Sequence, residues 1–423
     1  MNTVIINDNI SFHYIPMKKL KTSTIGIYIH RPLTKETASM NALLPMVLKR
    51  GCSLCPDSEA LEKFCQELYG AGASCGILKR GEDQIINFSF EAISDKYAID
   101  KEPIFSKLTE LAMSMLFEPV AENNAFSEKI LEQEKKNLCE RIESIKNDKR
   151  SYASIRCVEE MCKGDAFAVS RYGTAEDVNK IKSDDLYEYY KKIITSSVID
   201  FYVCGDVDTD NIVSTIKKYI SDKEFVKGDI KRTEILSPLD NINNVEESLD
   251  VNQGKLSLGF TTSTEPVGDE YYALMVANSI FGSGAHSKLF NNVREKLSLA
   301  YYASSSMERS KGLIIVNAGI EFSKYKEAYD EILVQLDDVK KGKISELEYN
   351  SSINAIINSL KSCFDDQYAM QSFYLSEKIY NTGLSLEEII EKIKSVTVDD
   401  AVKAAQNIKL NTVYFLKGAE PNA

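Results

Sequence analysis

The chain has 423 residues, with 51 Lys and Arg against 63 Asp and Glu, a net charge of −12. Its 43% hydrophobic and 27% charged residues are ordinary globular composition, which excludes a disordered or fibrous chain. With no basic block, the acidic balance argues against nucleic acid or an anionic membrane as partner. At about 100–200 residues per domain the length predicts two or three domains.

The opening MNTVIINDNISFHYIP reads as a short strand and a turn. It lacks the charged and apolar regions of a signal peptide. No apolar run approaches the roughly 20 residues that a membrane span needs, so a cytoplasmic location is expected. Nine scattered cysteines (Cys52, Cys55, Cys65, Cys75, Cys139, Cys157, Cys162, Cys204, Cys363) fit free thiols in a reducing compartment. Cys52 and Cys55 form a lone CxxC after Gly51, where a helix stops. A redox pair is placed to open a helix and a zinc site needs a second pair, so both read as plain thiols. The three histidines, His13, His30 and His286, are far apart in sequence, which disfavours a His-rich metal site.

An alternating strand, STIGIYIH, precedes the helical stretch ETASMNALLPMVLKRG; later KLSLGFTT precedes GDEYYALMVANSIFGSG. Likewise NKIKSDDLYEYYKKI leads into VIDFYVCGD, and EKIKSVTVDDAVKAAQNI leads into TVYFLKGA. KIKS itself recurs at 180–183 and 392–395, and matching blocks lie roughly 210–230 residues apart, the mark of a duplicated unit. Within the first unit, Asp57 or Ser58 can cap a helix through Leu61, Phe64, Cys65 and Leu68. The strand DQIINFSFEAI follows, burying Ile86, Phe88, Phe90 and Ala92 by alternation. Two helices come next, one through Phe105, Leu108, Leu111, Ala112 and Met115, the other charged and long over 126–147. In the second unit the strand GLIIVNAGI precedes a helix whose capping box is Ser345 with Glu348.

This pattern predicts an α+β fold of two homologous units, each a mostly antiparallel sheet with helices packed on one face. The expected division is 1–226, a linker at 227–250, and 251–423. In 287–306, SKLFNNVREKLSLAYYASSS, a helix presents Leu289, Phe290 and Val293 to the core and breaks near Ser298. Arg294 at the helix end and Tyr301 at the start of the next strand pair a five-donor guanidinium with a phenol, chemistry suited to peptide carbonyl oxygens. A surface Arg in an ion pair beside a half-buried Tyr is the structural alternative. The loop FGSGAHSKL lacks the Lys-Ser/Thr of a phosphate-binding loop, and His286 in it reads as structural.

These blocks together, and above all Phe290, Arg294, Glu295, Lys296, Leu299, Ala300 and Tyr301, resemble the pitrilysin/insulinase-type zinc metallopeptidase family. In a catalytic chain of that family a helical His-x-x-Glu-His and a distal Glu hold zinc and activate water. Laid on this chain, the ligand positions fall on Asn41 and Pro45, the base on Leu44 and the distal ligand on Arg141, within EKKNLCERI. Leu and Pro offer no lone pair, Asn is a weak neutral donor, and Arg repels a cation. The resemblance therefore implies no catalytic residue, metal or cofactor in this chain.

What it does imply is a non-catalytic, substrate-binding subunit. Arg294 and Tyr301 would contact a peptide or protein substrate, and zinc would come from a homologous zinc-motif partner in a heterodimer, each chain supplying half a chamber. A homodimer is the alternative for the chain in isolation. Two competing expectations are a structural or assembly and maturation protein, and an independent peptidase with an unusual metal site.

Overall fold

The protein was analysed as a computed structural model, which describes residues 1–99 and 102–418. In chain order the elements begin β1 (Asn2–Ile5), β2 (Ile10–Pro16), β3 (Thr22–Pro32), α1 (Ala38–Leu48), α2 (Ser58–Glu67), β4 (Gly72–Arg80), β5 (Asp83–Ile93), α3 (Ile104–Phe117) and α4 (Glu128–Ser144). There follow α5 (Lys149–Met161), α6 (Ala175–Lys180), α7 (Ser183–Ser196), β6 (Ile199–Gly205), α8 (Thr209–Ile220), β7 (Asn243–Leu249), β8 (Gly254–Thr261) and α9 (Asp269–Gly282). The remainder are β9 (Ala300–Glu308), β10 (Leu313–Ile320), α10 (Tyr325–Lys340), α11 (Glu346–Ser362), α12 (Gln367–Ile379), α13 (Leu386–Ser395), α14 (Val398–Gln406) and β11 (Lys409–Gly418). Among the described residues, no helix is long and apolar enough to cross a membrane.

Two sheets result, with strand orders β1-β2-β6-β3-β5-β4 and β7-β11-β8-β10-β9. Removing β1 makes the orders equivalent, and in each the first remaining pair is parallel (β2 with β6, β7 with β11) while the rest are antiparallel. The duplication visible in the sequence is thus a duplication of sheet topology, and the expected α+β class holds. The segment 227–250, expected as a linker, is irregular only in its first part; Asn243–Leu249 become strand β7.

Compactness divides the chain differently from its order. One unit comprises Met1–Glu143, Val169–Arg232 and Cys363–Ile379; the other comprises Ser144–Ala168, Thr233–Ser362 and Tyr380–Ala423. Helix α5, from the first half, packs on β8 and β11 of the second sheet, and α12, from the second half, packs on β3 and β6 of the first. The two helices occupy corresponding places in the repeat, so the exchange is reciprocal.

Strand pleating sets the layers of the first unit. Ile25, Ile27 and Ile29 of β3, Ile86, Phe88 and Phe90 of β5, and Ile199, Phe201 and Val203 of β6 point into one core with Leu43, Leu44 and Val47 of α1 and Leu108 and Leu111 of α3. The alternate residues face α12 and are largely polar. Tyr28 donates to Gln371 Oε1 at 3.0 Å, Gln371 donates to Thr24 at 2.9 Å, and Gln367 donates to the Thr22 carbonyl at 2.7 Å. Gly26 has no room for a β-carbon, which would come within 2.3 Å of Gln371 Oε1.

Two histidines distant in sequence meet on this face. His13 Nε2 and His30 Nε2 each lie 3.2 Å from an oxygen of the fully buried Asp200, His30 Nδ1 contacts Asp83, and Lys378 of α12 pairs with Asp200. Burial alone would push the His30 pKa down, but the Asp83 and Asp200 carboxylates outweigh it and hold it up at about 9. Asp200 is likewise penalised by burial, yet its bonds to His13 and His30 and the charge of Lys378 hold it well below the carboxylate range. Protonated His30 therefore contributes stability fully below its ordinary 6.5, and the contribution is lost as pH rises through about 9. Asp200 contributes above its ordinary 3.8 and loses that contribution as pH falls. Asp200→Asn, which strands two histidines and Lys378, should cost about 3–5 kcal/mol in urea denaturation. The wild-type urea midpoint should fall between pH 7 and 9.5, and His30→Gln should flatten that fall.

Candidate functional site

Helix α1 carries the three residues on which the metal and base positions were expected to fall. Its face toward the sheet holds Asn41, Leu44 and Pro45, all buried. Asn41 is completely enclosed: its Nδ2 donates to Gln84 Oε1 at 2.8 Å, and its Oδ1 accepts from the Tyr189 hydroxyl at 2.6 Å. Gln84 in turn donates to the carbonyls of Ala38 at 3.0 Å and Arg171 at 2.7 Å. Leu44 belongs to the apolar core. Pro45 lies inside the helix, where its ring removes the amide that Asn41's carbonyl would otherwise receive.

The distal position is no closer to metal chemistry. Arg141 of α4 lies with its guanidinium carbon 6.0 Å from the Tyr172 ring centroid. Glu134, on the same helix, is buried and consumed: Arg50 Nε donates to its Oε1 at 2.6 Å, and Asn137 donates to its Oε2 at 3.1 Å. The neighbouring Cys75 thiol of β4, pushed up to about 11 by burial, feels the charges of Lys49, Glu134, Arg141 and Arg50. Three cations against one anion give this corner the wrong field for a divalent ion. Among the described residues, no group of three or more His, Cys, Asp or Glu is placed to hold a metal. The side chains present do not fit zinc.

The second element, around Arg294 and Tyr301, is built from three consecutive irregularities. Leu289–Lys296 is π-helical, with Leu297 N–H returning to the Asn292 carbonyl. Ser298 has φ of 49°, a left-handed residue that turns the chain out of the helix. The pairing of β9 with β10 then jumps from Tyr302 opposite Gly319 to Ala300 opposite Ile320, which leaves Tyr301 as the extra residue of a bulge. Bulges and π-turns re-aim side chains and concentrate at functional sites.

The result is two solvent-facing polar groups. The Arg294 side chain is 41% exposed, though the residue as a whole is half-buried; its guanidinium lies 4.7 Å from the Phe290 ring centroid and its Nε 3.5 Å from Glu295. Tyr301 is 53% exposed and donates to Glu321 Oε1 at 3.3 Å. Leu289 and Val293 enter the core as expected, but Phe290 is only half-buried and serves as the platform under Arg294. The i→i+5 spacing rotates it off the apolar stripe that an α-helix would have given. Arg294 and Tyr301 have separate partners, so each is held in place independently.

Other sequence candidates are structural. His286 Nε2 lies 3.1 Å from Ser279 Oγ, and burial lowers its pKa. Cys52 and Cys55 are buried free thiols, Cys55 being pushed up to about 11 by burial and by Cys52 and Cys65. Sequence reasoning missed Gln84 and Tyr189 as the partners of Asn41; only strand alternation in β5 hinted that Gln84 faces α1. Asn41→Ala should cost about 1–3 kcal/mol in urea denaturation by orphaning Tyr189 and Gln84. Leu44→Ala should cost about 2–5 kcal/mol, and exposed Arg141→Ala less than about 0.5 kcal/mol.

Comparison with known proteins places this geometry. Residues 180–356 match the family model described as "Peptidase M16 inactive domain". The chain is 36% identical over 408 residues to the "Probable inactive metalloprotease YmfF" of Bacillus subtilis, covering 96% of each. It shares 29% identity and a TM-score of 0.91 with a conserved protein from Enterococcus faecalis V583, over 100% of this chain and 99% of that one. A peptidase M16 inactive domain from Pseudomonas fluorescens, at 16% identity and a TM-score of 0.78 over 100% and 99% of the two chains, shares the fold. On these likenesses the chain belongs to the pitrilysin/insulinase-type (M16) metallopeptidase family as one of its inactive homologues.

Proposed function

We propose that this chain is the substrate-binding, non-hydrolytic subunit of a heterodimeric zinc metallopeptidase. The zinc and the water-activating carboxylate belong to a homologous partner; Arg294 and Tyr301 bind the substrate backbone near the bond that the partner cleaves. The reading is carried by one contrast. Asn41, Leu44 and Pro45 are sealed into packing, while the half-buried Arg294 keeps its side chain partly open to solvent and Tyr301 is exposed, on an element with a π-turn, a left-handed Ser298 and a bulge.

The chemistry suits a peptide. The Arg294 guanidinium offers fixed N–H donors, the Tyr301 hydroxyl a further one, and both can orient a carbonyl and stabilise negative charge developing on it. Tyr301 lies on β9, the last strand of its sheet, so one row of β9 amides and carbonyls has no strand partner within the sheet. An extended peptide can add there through main-chain hydrogen bonds, which makes binding tolerant of side-chain sequence.

The test is reconstitution of the full chain with a zinc-motif homologue from the same organism, followed by peptide cleavage. Arg294→Ala combined with Tyr301→Phe should lower kcat/KM by about 100-fold or more, the range for losing transition-state donors. Unchanged cleavage with the double variant overturns the positioning role and favours a structural or assembly role for the chain.

A further inference from the structure

A second polar feature lies beside Tyr301, on the face of the second sheet that receives α5. Tyr302, Gly319 and Lys255 are cross-strand neighbours on β9, β10 and β8, and Ser304, Asn317 and Ser257 form the adjacent row. The second row is internally satisfied: Ser257 donates to Asn317 Oδ1 at 2.7 Å, and Asn317 donates to Ser154 of α5 at 3.3 Å. The first row is not of that kind. Gly319 lets the Tyr302 ring lie flat on the sheet; a β-carbon there would come within 2.3 Å of the ring. Above the ring, the Arg150 guanidinium carbon lies 4.2 Å from the centroid, and Arg150 Nη2 donates to Ser304 Oγ at 3.2 Å. Lys255 Nζ lies 5.9 Å from the same centroid and donates to Gln253 at 3.2 Å.

Two cations therefore converge on one aromatic ring, and among the described residues neither forms an ion pair with a carboxylate. Asp148 is the acid whose charge both feel, but its oxygens are committed to capping α5. They accept from the Arg150 and Ser151 amides at 3.1 and 3.2 Å and from the Ser151 hydroxyl at 2.6 Å. Lys255 bears the consequence: burial and the Arg150 charge hold its pKa below the usual lysine value. In a chain of net charge −12, two cations converging on one ring with no carboxylate partner is an arrangement that an incoming anion relieves.

We propose that Arg150, Lys255 and the Tyr302 ring form an anion subsite that receives a carboxylate of a peptide bound along β9. The proposal rests on the peptide-binding function above and adds a preference to it. Alternate side chains of a peptide paired with β9 fall on the α5 face, where Tyr302 and Ser304 of β9 also lie. Arg150 offers a planar fork of donors, and Lys255 a point charge behind it. The carboxylate is either an acidic side chain or the free C-terminus of the peptide.

The full chain, alone and with its zinc-motif partner, should be titrated against fluorescein-labelled unstructured decapeptides by polarisation. One set moves a single Glu along the peptide, each with its Gln counterpart; a second compares free acid with C-terminal amide. A preference of about tenfold is expected for the charged form. It should fall as salt rises, and Arg150→Gln and Lys255→Met, checked for folding by circular dichroism, should abolish it without weakening the neutral peptides. Discrimination at one internal Glu position identifies a side-chain carboxylate; discrimination confined to the acid/amide pair identifies the terminus. Equal binding of charged and neutral forms overturns the subsite while leaving peptide binding intact. Absence of binding by every peptide, with and without the partner, overturns both.

Discussion

The face that α1 turns toward its sheet is wholly committed to packing and internal hydrogen bonds. A hydrolytic metal centre needs several lone pairs converging on a point that a water can also reach. Here that face supplies an amide already bonded at both ends, a leucine in the core and a proline with no donor atom. Neutral packing of this sort is self-consistent: every polar atom of the Asn41 side chain has a partner, and nothing there calls for a cation. The nearby charges reinforce the point, since Glu134 is spent on Arg50 and Asn137 while Arg141 adds a positive charge.

Each unit then supplies a different resource. The first has a sheet whose apolar face packs α1 and α3, and whose polar face is closed by α12 through Gln371, Lys378 and the His13–Asp200–His30 cluster. The second has the same topology, but its loop after α9 becomes a π-helical turn and a bulge that leave Arg294 and Tyr301 in solvent. Duplication thus preserved two frameworks while the chemistry diverged between them. In one copy Asn41, Leu44 and Pro45 are buried as structure; in the other the side chains of Arg294 and Tyr301 reach solvent, at some cost in backbone regularity.

Much of this was legible in the sequence. Alternation marked the inward residues of β5, Asp57 caps α2, and Ser345 with Glu348 closes the capping box of α11. The repeated blocks announced two equivalent sheets. What stayed hidden has common physical causes. Periodicity says which face of a helix is buried but not against which sheet, so the exchange of α5 and α12 could not be read. A π-turn has nearly the apolar pattern of an α-helix, so Phe290 was expected in the core rather than beneath Arg294. His13 and His30 look isolated along the chain; they meet because β2 and β3 flank β6 on either side and share the polar face of its pleat.

The central claim is that this chain cannot assemble a hydrolytic metal site of its own. The most direct measurement is the zinc content of the purified full chain after dialysis in chelator-free buffer, by mass spectrometry, with peptide cleavage assayed on the same sample. Well under one equivalent of zinc is expected, with no cleavage until a zinc-bearing partner is added. One tightly held zinc per chain, with cleavage abolished by a chelator, would contradict it.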